Sequence, residues 1–135
     1  MKFKNKKRVF LDLFAGCGGL SLGMEEAGFF PIFVNEINKD AINTYFFNRD
    51  KLNPLLHKKY FSLDVKDLVL NKNILDDIIT GFKFDYKIDV NKGDLDLITG
   101  GPPCQGFSGI GHRRSYSVEK NNYLQIIYIK TWHIL

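Results

Sequence analysis

The sequence predicts an α/β fold built on a parallel sheet, and three observations carry that prediction. Short apolar runs rich in β-branched and aromatic residues alternate with segments whose apolar residues recur at helical spacing. Glycines and Asn or Asp residues punctuate these segments where turns and helix caps are needed. The chain has 135 residues, 44% of them hydrophobic and 25% charged, which suits one globular domain with a modest core.

The elements follow in order. Arg8–Phe14 (RVFLDLF) is a buried strand stopped by Gly16, Gly18 and Gly19. Leu20, Met24 and Ala27 mark a first helix that ends at Gly28, with Glu25 on its outer face. Phe29–Asn35 (FFPIFVN) is the second strand. Asn38 caps a helix to about Asn48, with Ala41, Ile42, Tyr45 and Phe46 on one face. Tyr60–Leu63 is a short third strand ending at Asp64. Asn73 caps a helix carrying Ile74, Leu75, Ile78 and Ile79, with Gly81 after its end. Phe82–Asp94 reads as a connecting loop or a weak hairpin, and Leu95–Thr99 is the fourth strand. Gly100–Val118 is a long loop, and a further helix begins near Glu119.

No apolar run approaches bilayer-spanning length, so no membrane association is expected. The basic N-terminus lacks the apolar segment and cleavage site of a signal peptide. Cys17 and Cys104 are the only cysteines. They lack the paired spacing of a zinc site and are too few for a disulfide scaffold. A cytoplasmic chain with free thiols and no metal is the expectation. The net charge of +4 permits nucleic-acid binding without requiring it.

In a parallel sheet, ligands bind beyond the carboxyl ends of the strands. The Gly16, Gly18 and Gly19 turn, Glu36, Asp64 and Cys104 each follow one of the four predicted strands, so they gather along one edge. The glycines allow a tight turn and close approach of a ligand to bare backbone, and the helix that follows offers free N–H groups. Glu36 is placed to accept from ribose hydroxyls, and Ile37 to cover one face of an adenine. Asp64 is placed to accept from the adenine amino group, with Val65 against the ring. Taken singly, each acid is equally a solvated loop charge or a helix cap. Together the three sites suit an adenosine without a diphosphate.

The segments FLDLFAGCGGLSLGMEEAGF, NEINKDAINTYFFN, LDV and DLITGGPPCQGFS resemble successive motifs of the cytosine-5 DNA methyltransferases. The likeness runs from about Val9 to Arg114. It implies a Rossmann-like sheet that binds S-adenosylmethionine, with strand order 3-2-1-4. By motif position, Phe14, Gly16, Cys17, Gly18 and Gly19 line the methionine and ribose side. Glu36 holds the ribose, Ile37 packs on the adenine, Asp64 and Val65 complete the adenine pocket, and Pro103 joins the cofactor-binding set. Many family members carry a larger or aromatic side chain where Ile37 stands.

Cys104 is the implied nucleophile. A thiolate can add to carbon 6 of cytosine and later leave by elimination. Pro102 and Pro103 fix two φ angles ahead of it, while Gly100 and Gly101 leave room for the methyl donor. His112, Arg113 and Arg114 lie close in sequence and supply positive charge. A duplex hides its bases, so double-stranded DNA is the implied partner and the target base must be flipped out. Gln105, Ser108, Arg113 and Arg114 are candidate DNA contacts.

The family's later Glu-Asn-Val element, its target-recognition region and its C-terminal helix have no counterpart after Cys104. Residues 1–135 therefore read as the N-terminal portion of one methyltransferase catalytic domain. It is expected to be inactive alone, or completed by a second chain that carries the C-terminal half. Its fourth strand is expected to be an exposed edge. A non-catalytic S-adenosylmethionine-binding or interaction module is the alternative. A nicotinamide-dependent oxidoreductase is disfavoured by Ser21 in the glycine pattern and by Pro-Pro-Cys-Gln.

Overall fold

The computed structural model describes residues 7–102. Four strands, β1 (Arg8–Leu13), β2 (Phe29–Asn35), β3 (Phe61–Ser62) and β4 (Leu97–Gly100), form one sheet in the order β3-β2-β1-β4. All three pairings are parallel, as expected. The central pair is apolar almost throughout because both of its faces are covered. Val9, Phe10, Ile32 and Val34 are wholly buried. The helices are α1 (Gly19–Glu26), α2 (Lys39–Arg49), α3 (Pro54–Lys58), α4 (Val65–Leu70) and α5 (Lys72–Asp85), followed by a 3-10 turn at Val90–Lys92.

The chain leaves β1 towards β2 and β3, then returns past β1 to lay down β4 on its other side. The strand order thus reverses between β1 and β4, the point where open α/β sheets bind ligands. Among the described residues β4 pairs with β1 alone and stands at the sheet edge.

Several boundaries differ from expectation, each for a local reason. Asn38 caps α2 as predicted, its side chain accepting from the amides of Asp40 and Ala41. Gly28, at φ +85°, ends α1. The apolar spacing of α1 does not mark its buried face, however. Leu20 is 44% exposed and Leu22 55%, while Ser21 is wholly buried. Helices α3 and α4 were not anticipated. Pro54 starts α3, where its missing N–H costs nothing, and Asp64 caps α4 by accepting from Lys66 N at 2.9 Å.

Helix α5 has Asn71 rather than Asn73 at its N-cap position, without a side-chain capping bond, and runs through Gly81 to Asp85. A Cβ on Gly81 would lie 2.6 Å from the Tyr60 hydroxyl, so this glycine makes room for a ring instead of ending a helix. The expected loop at Phe82–Asp94 is mostly helix and 3-10 turn, because Phe82, Tyr86, Ile88 and Val90 are core residues. Leu95 is also buried in that core. Asp96 accepts from Val9 N at 2.8 Å through its side chain, and β4 begins one residue later, at Leu97.

Tyr60, the residue before β3, donates to Asp85 Oδ2 at 2.6 Å, and Lys59 Nζ lies 2.9 Å from the same oxygen. The Tyr60 hydroxyl first, then Lys59, hold the Asp85 carboxyl below its ordinary range. A carboxyl depressed on folding adds stability above the unfolded-state pKa and loses it as pH falls through the folded-state value. Asp85→Asn should therefore lower Tm at pH 7, and the gap from wild type should close as pH falls below about 4. Thermal melts across that range check this, and a gap that stays constant with pH would refute it.

Candidate functional site

The edge formed by the carboxyl ends of the strands is organised around the turn leaving β1. Phe14, Gly16 and Gly18 all have left-handed φ values, +58°, +57° and +92°. Phe14 tolerates this because its neighbours are tied down. Its own N–H donates to the Asn35 side chain, and Ala15 N donates to Asn35 O at 2.9 Å. Gly18 then serves as N-cap of α1, with Leu22 N donating to Gly18 O at 3.0 Å. Added Cβ atoms at Gly16 and Gly19 would meet none of the described residues within 4 Å, so the turn presents open backbone to them there. Cys17 is an exposed free thiol beside it.

Glu36 leaves the end of β2 and reaches this turn directly. Its Oε2 accepts from Gly16 N at 2.7 Å and its Oε1 from Asn38 N at 2.8 Å. One carboxylate thus joins the glycine turn to the start of α2. Ile37 beside it is 68% exposed, an apolar surface at the lip of the edge. Asn35, buried and unremarked in the sequence, extends the link to β3. Its Nδ2 donates to Ser62 O, Ser62 Oγ and Leu63 O, all within 3.1 Å.

Asp64 follows β3, and its Oδ1 is engaged as the cap of α4. Val65 lines an apolar cavity of about 50 Å³ between the sheet and α4–α5, together with Leu11, Leu13, Leu68 and Ile98. Gly100 plays a different part from the one expected of it. A Cβ there would lie 2.7 Å from Leu13 O, so its bareness lets β4 close onto β1 instead of making room for a ligand. Among the described residues nothing lies within 4 Å of the corresponding point on Gly101. Pro103, Cys104, Gln105, Ser108, Arg113 and Arg114 lie outside the described residues, as do the long loop's remainder and the helix expected near Glu119.

Beneath the turn runs a buried polar network that sequence reasoning missed. Asp12, one residue from the end of β1, accepts from Ser21 Oγ at 2.5 Å and from Thr99 Oγ1 at 3.2 Å. Ser21 Oγ also shares a 2.7 Å hydrogen bond with Tyr45 OH. Burial pushes the Asp12 carboxyl up, opposed by the hydroxyls of Ser21 and Thr99. Arg49, only 5% exposed, stacks its guanidinium 4.1 Å from the centre of the Tyr45 ring. It donates from Nε to Glu25 Oε1 at 2.8 Å and from Nη2 to Gly18 O at 2.9 Å. Glu25, expected on an outer face, is instead the half-buried partner of this arginine. The available signal was a polar residue on an apolar stripe: Arg49 continues Ile42, Tyr45 and Phe46 at helical spacing, and Asp12 interrupts an apolar strand.

A parallel sheet whose order reverses at a glycine turn, with an acid from the next strand bonded into that turn, is the architecture of the Rossmann-like methyltransferases. Comparison with known proteins gives the family. A profile of the C-5 cytosine-specific DNA methylases matches residues 9–131, and the chain belongs to that family.

Type II methyltransferase M.DdeI of Desulfomicrobium norvegicum is 40% identical over 76% of the chain, and M.XorII of Xanthomonas oryzae is 38% identical over 78%. DNA (cytosine-5)-methyltransferase 3 of Arabidopsis thaliana is 32% identical over 92%. These alignments cover 20%, 21% and 10% of the respective relatives, so the chain spans about a fifth of their length or less. A crystal structure of a prophage-encoded E. coli protein assigned as a DNA modification methyltransferase superposes with a TM-score of 0.55 at 34% identity. That match covers 90% of this chain and 27% of the other.

Gly18 is the position where the turn has least freedom. An added Cβ would lie 2.6 Å from Arg49 Nη1 and 2.7 Å from the Tyr45 ring, at a φ that side chains rarely adopt. Gly18→Ala should cost about 2 kcal/mol or more in chemical denaturation. Gly23→Ala, on α1 with no described residue within 4 Å of the added Cβ, should be neutral or gain up to about 1 kcal/mol. Equal midpoints for the two variants would show that the turn relaxes freely.

Proposed function

We propose that the strand-end edge binds S-adenosylmethionine and that Cys104 is the nucleophile in methyl transfer to carbon 5 of cytosine in DNA. The observation that carries this reading is the direct bond from the Glu36 carboxylate to the amide of Gly16, at the point where the strand order reverses. A carboxylate oxygen accepts more than one hydrogen bond. Each oxygen of Glu36 therefore holds a backbone amide and retains capacity for a ribose hydroxyl. Phe14, Gly16, Cys17, Gly18 and Gly19 would line the methionine and ribose side, with the open faces of Gly16 and Gly19 admitting the ligand.

Exposed Ile37 would cover one face of the adenine. Asp64 would accept from the adenine amino group through Oδ2, because its cap to α4 uses Oδ1. Val65 would bound this pocket from the core side, and Pro103 would close it beside the nucleophile. The bound group supplies an electrophilic methyl on a sulfonium sulfur.

Cytosine carbon 5 is a weak nucleophile while the ring is aromatic. Addition of the Cys104 thiolate to carbon 6 breaks the aromaticity and puts electron density on carbon 5, which then forms the bond to methyl as the carbon–sulfur bond of the sulfonium breaks. Loss of the carbon 5 proton to solvent and elimination of the thiolate restore the ring. Double-stranded DNA would be the substrate, its target base flipped out, with Gln105, Ser108, Arg113 and Arg114 contacting the strand.

Binding calorimetry with S-adenosylmethionine tests the first half. Glu36→Ala should weaken binding by about 1.5–3 kcal/mol, whereas Glu26→Ala, on the exposed face of α1, should not. Equal affinities for the two variants, or no binding by the wild-type chain, would remove the assignment.

The second half is tested with 5-fluorocytosine DNA, S-adenosylmethionine and a complex with a matching C-terminal half. Fluorine blocks the elimination step, so a covalent adduct should accumulate. Cys104→Ser should abolish the adduct and Cys17→Ser should retain it. An adduct that survives Cys104→Ser would mean another residue attacks.

A further inference from the structure

We propose that Arg49 is a positioning residue of the methyl-donor site, holding the Gly18–Gly19 peptide in one orientation with its amide turned towards the ligand. The inference rests on the reading of the strand-end edge as that site. A peptide unit is planar and trans, so its C=O and N–H point in opposite directions. The Gly18 carbonyl is drawn inward by two donors, Arg49 Nη2 at 2.9 Å and Leu22 N at 3.0 Å. The Gly19 N–H of the same peptide must then point the other way. Gly18 is buried, while Gly19 is exposed, and an added Cβ on it would meet none of the described residues within 4 Å.

This peptide needs such a clamp. It joins two glycines, so no Cβ on either side opposes its rotation. Arg49 suits the task because a guanidinium presents several donors in a rigid plane. The same Nη2 bonds both Gly18 O and Glu25 Oε2, Nε bonds Glu25 Oε1, and the plane rests on the Tyr45 ring. A buried ion pair adds little net stability over apolar residues of similar size. Its fixed geometry is what an apolar replacement would not reproduce.

The test uses the 135-residue chain and two variants, Arg49→Lys and the volume-matched double variant Glu25→Gln/Arg49→Met. Amide hydrogen exchange is read at Leu22, whose N–H bonds the clamped carbonyl, and at Ala15 and Val34, whose amides bond to Asn35 O and Tyr60 O. The double variant should keep its Tm within a few degrees and its exchange at Ala15 and Val34. Exchange at Leu22 should rise about tenfold, and affinity for S-adenosylmethionine should fall by a similar factor, as expected for one lost hydrogen bond. Arg49→Lys should fall between the double variant and wild type. Unchanged exchange at Leu22, or a rise shared equally by all three amides, would overturn the clamp. A wild-type chain that binds no S-adenosylmethionine would instead sink the site assignment, and the exchange pattern would still decide whether Arg49 holds the peptide.

Discussion

A carboxylate with no solvent exposure in the central strand of a sheet must have its acceptor capacity filled by protein. Asp12 is that carboxylate, and filling it dictates the arrangement around it. Ser21 brings α1 onto β1, Tyr45 brings α2 onto Ser21, and Thr99 brings β4 alongside. Three elements that meet β1 from different parts of the chain are thereby registered to one residue. Apolar packing alone would tolerate sliding between them, whereas hydrogen bonds near 2.5–3.2 Å tolerate little.

That registration bears on the proposed chemistry, because the segments assigned to it begin immediately beyond these contacts. The glycine turn starts two residues after Asp12, and the Gly-Gly-Pro-Pro-Cys-Gln segment starts directly after Thr99. Methyl transfer needs donor and nucleophile held in one geometry, and a small misplacement is costly. Glu36 and Asn35 perform the matching service on the other side of β1. Between them they tie the glycine turn to the ends of β2 and β3.

The backbone plan was legible in the sequence where its signals were local and apolar. The run at Arg8–Phe14, of which Arg8–Leu13 is strand, the run at Phe29–Asn35, the Asn38 cap and the glycine turn all announced themselves through composition and spacing. The strand order and the family came from the resemblance. Signals whose meaning depends on a distant partner could not be read in this way. Gly81 resembles a helix stop until Tyr60 is placed against it. Ser21 resembles a failed glycine in a fingerprint until Asp12 and Tyr45 surround it. Arg49 falls on the apolar stripe of α2, but Glu25 resembles a surface charge, and a pairing across 24 positions leaves no trace in the sequence. Helices α3 and α4, at five and six residues, are too short for periodicity to establish.

Helix α1 buries a serine, exposes two leucines and is pinned through Glu25 to an arginine on α2. It is therefore specified by partners outside itself more than by its own sequence. Family members offer an obvious source of parts for chimaeras, and a natural crossover point would be the loop between α1 and β2. A splice at that point would carry Ser21 and Glu25 from one parent and Tyr45 and Arg49 from the other. Here the tradable unit is the whole β1–α1–β2–α2 segment, so recombination within it would assemble polar groups that were never selected to meet.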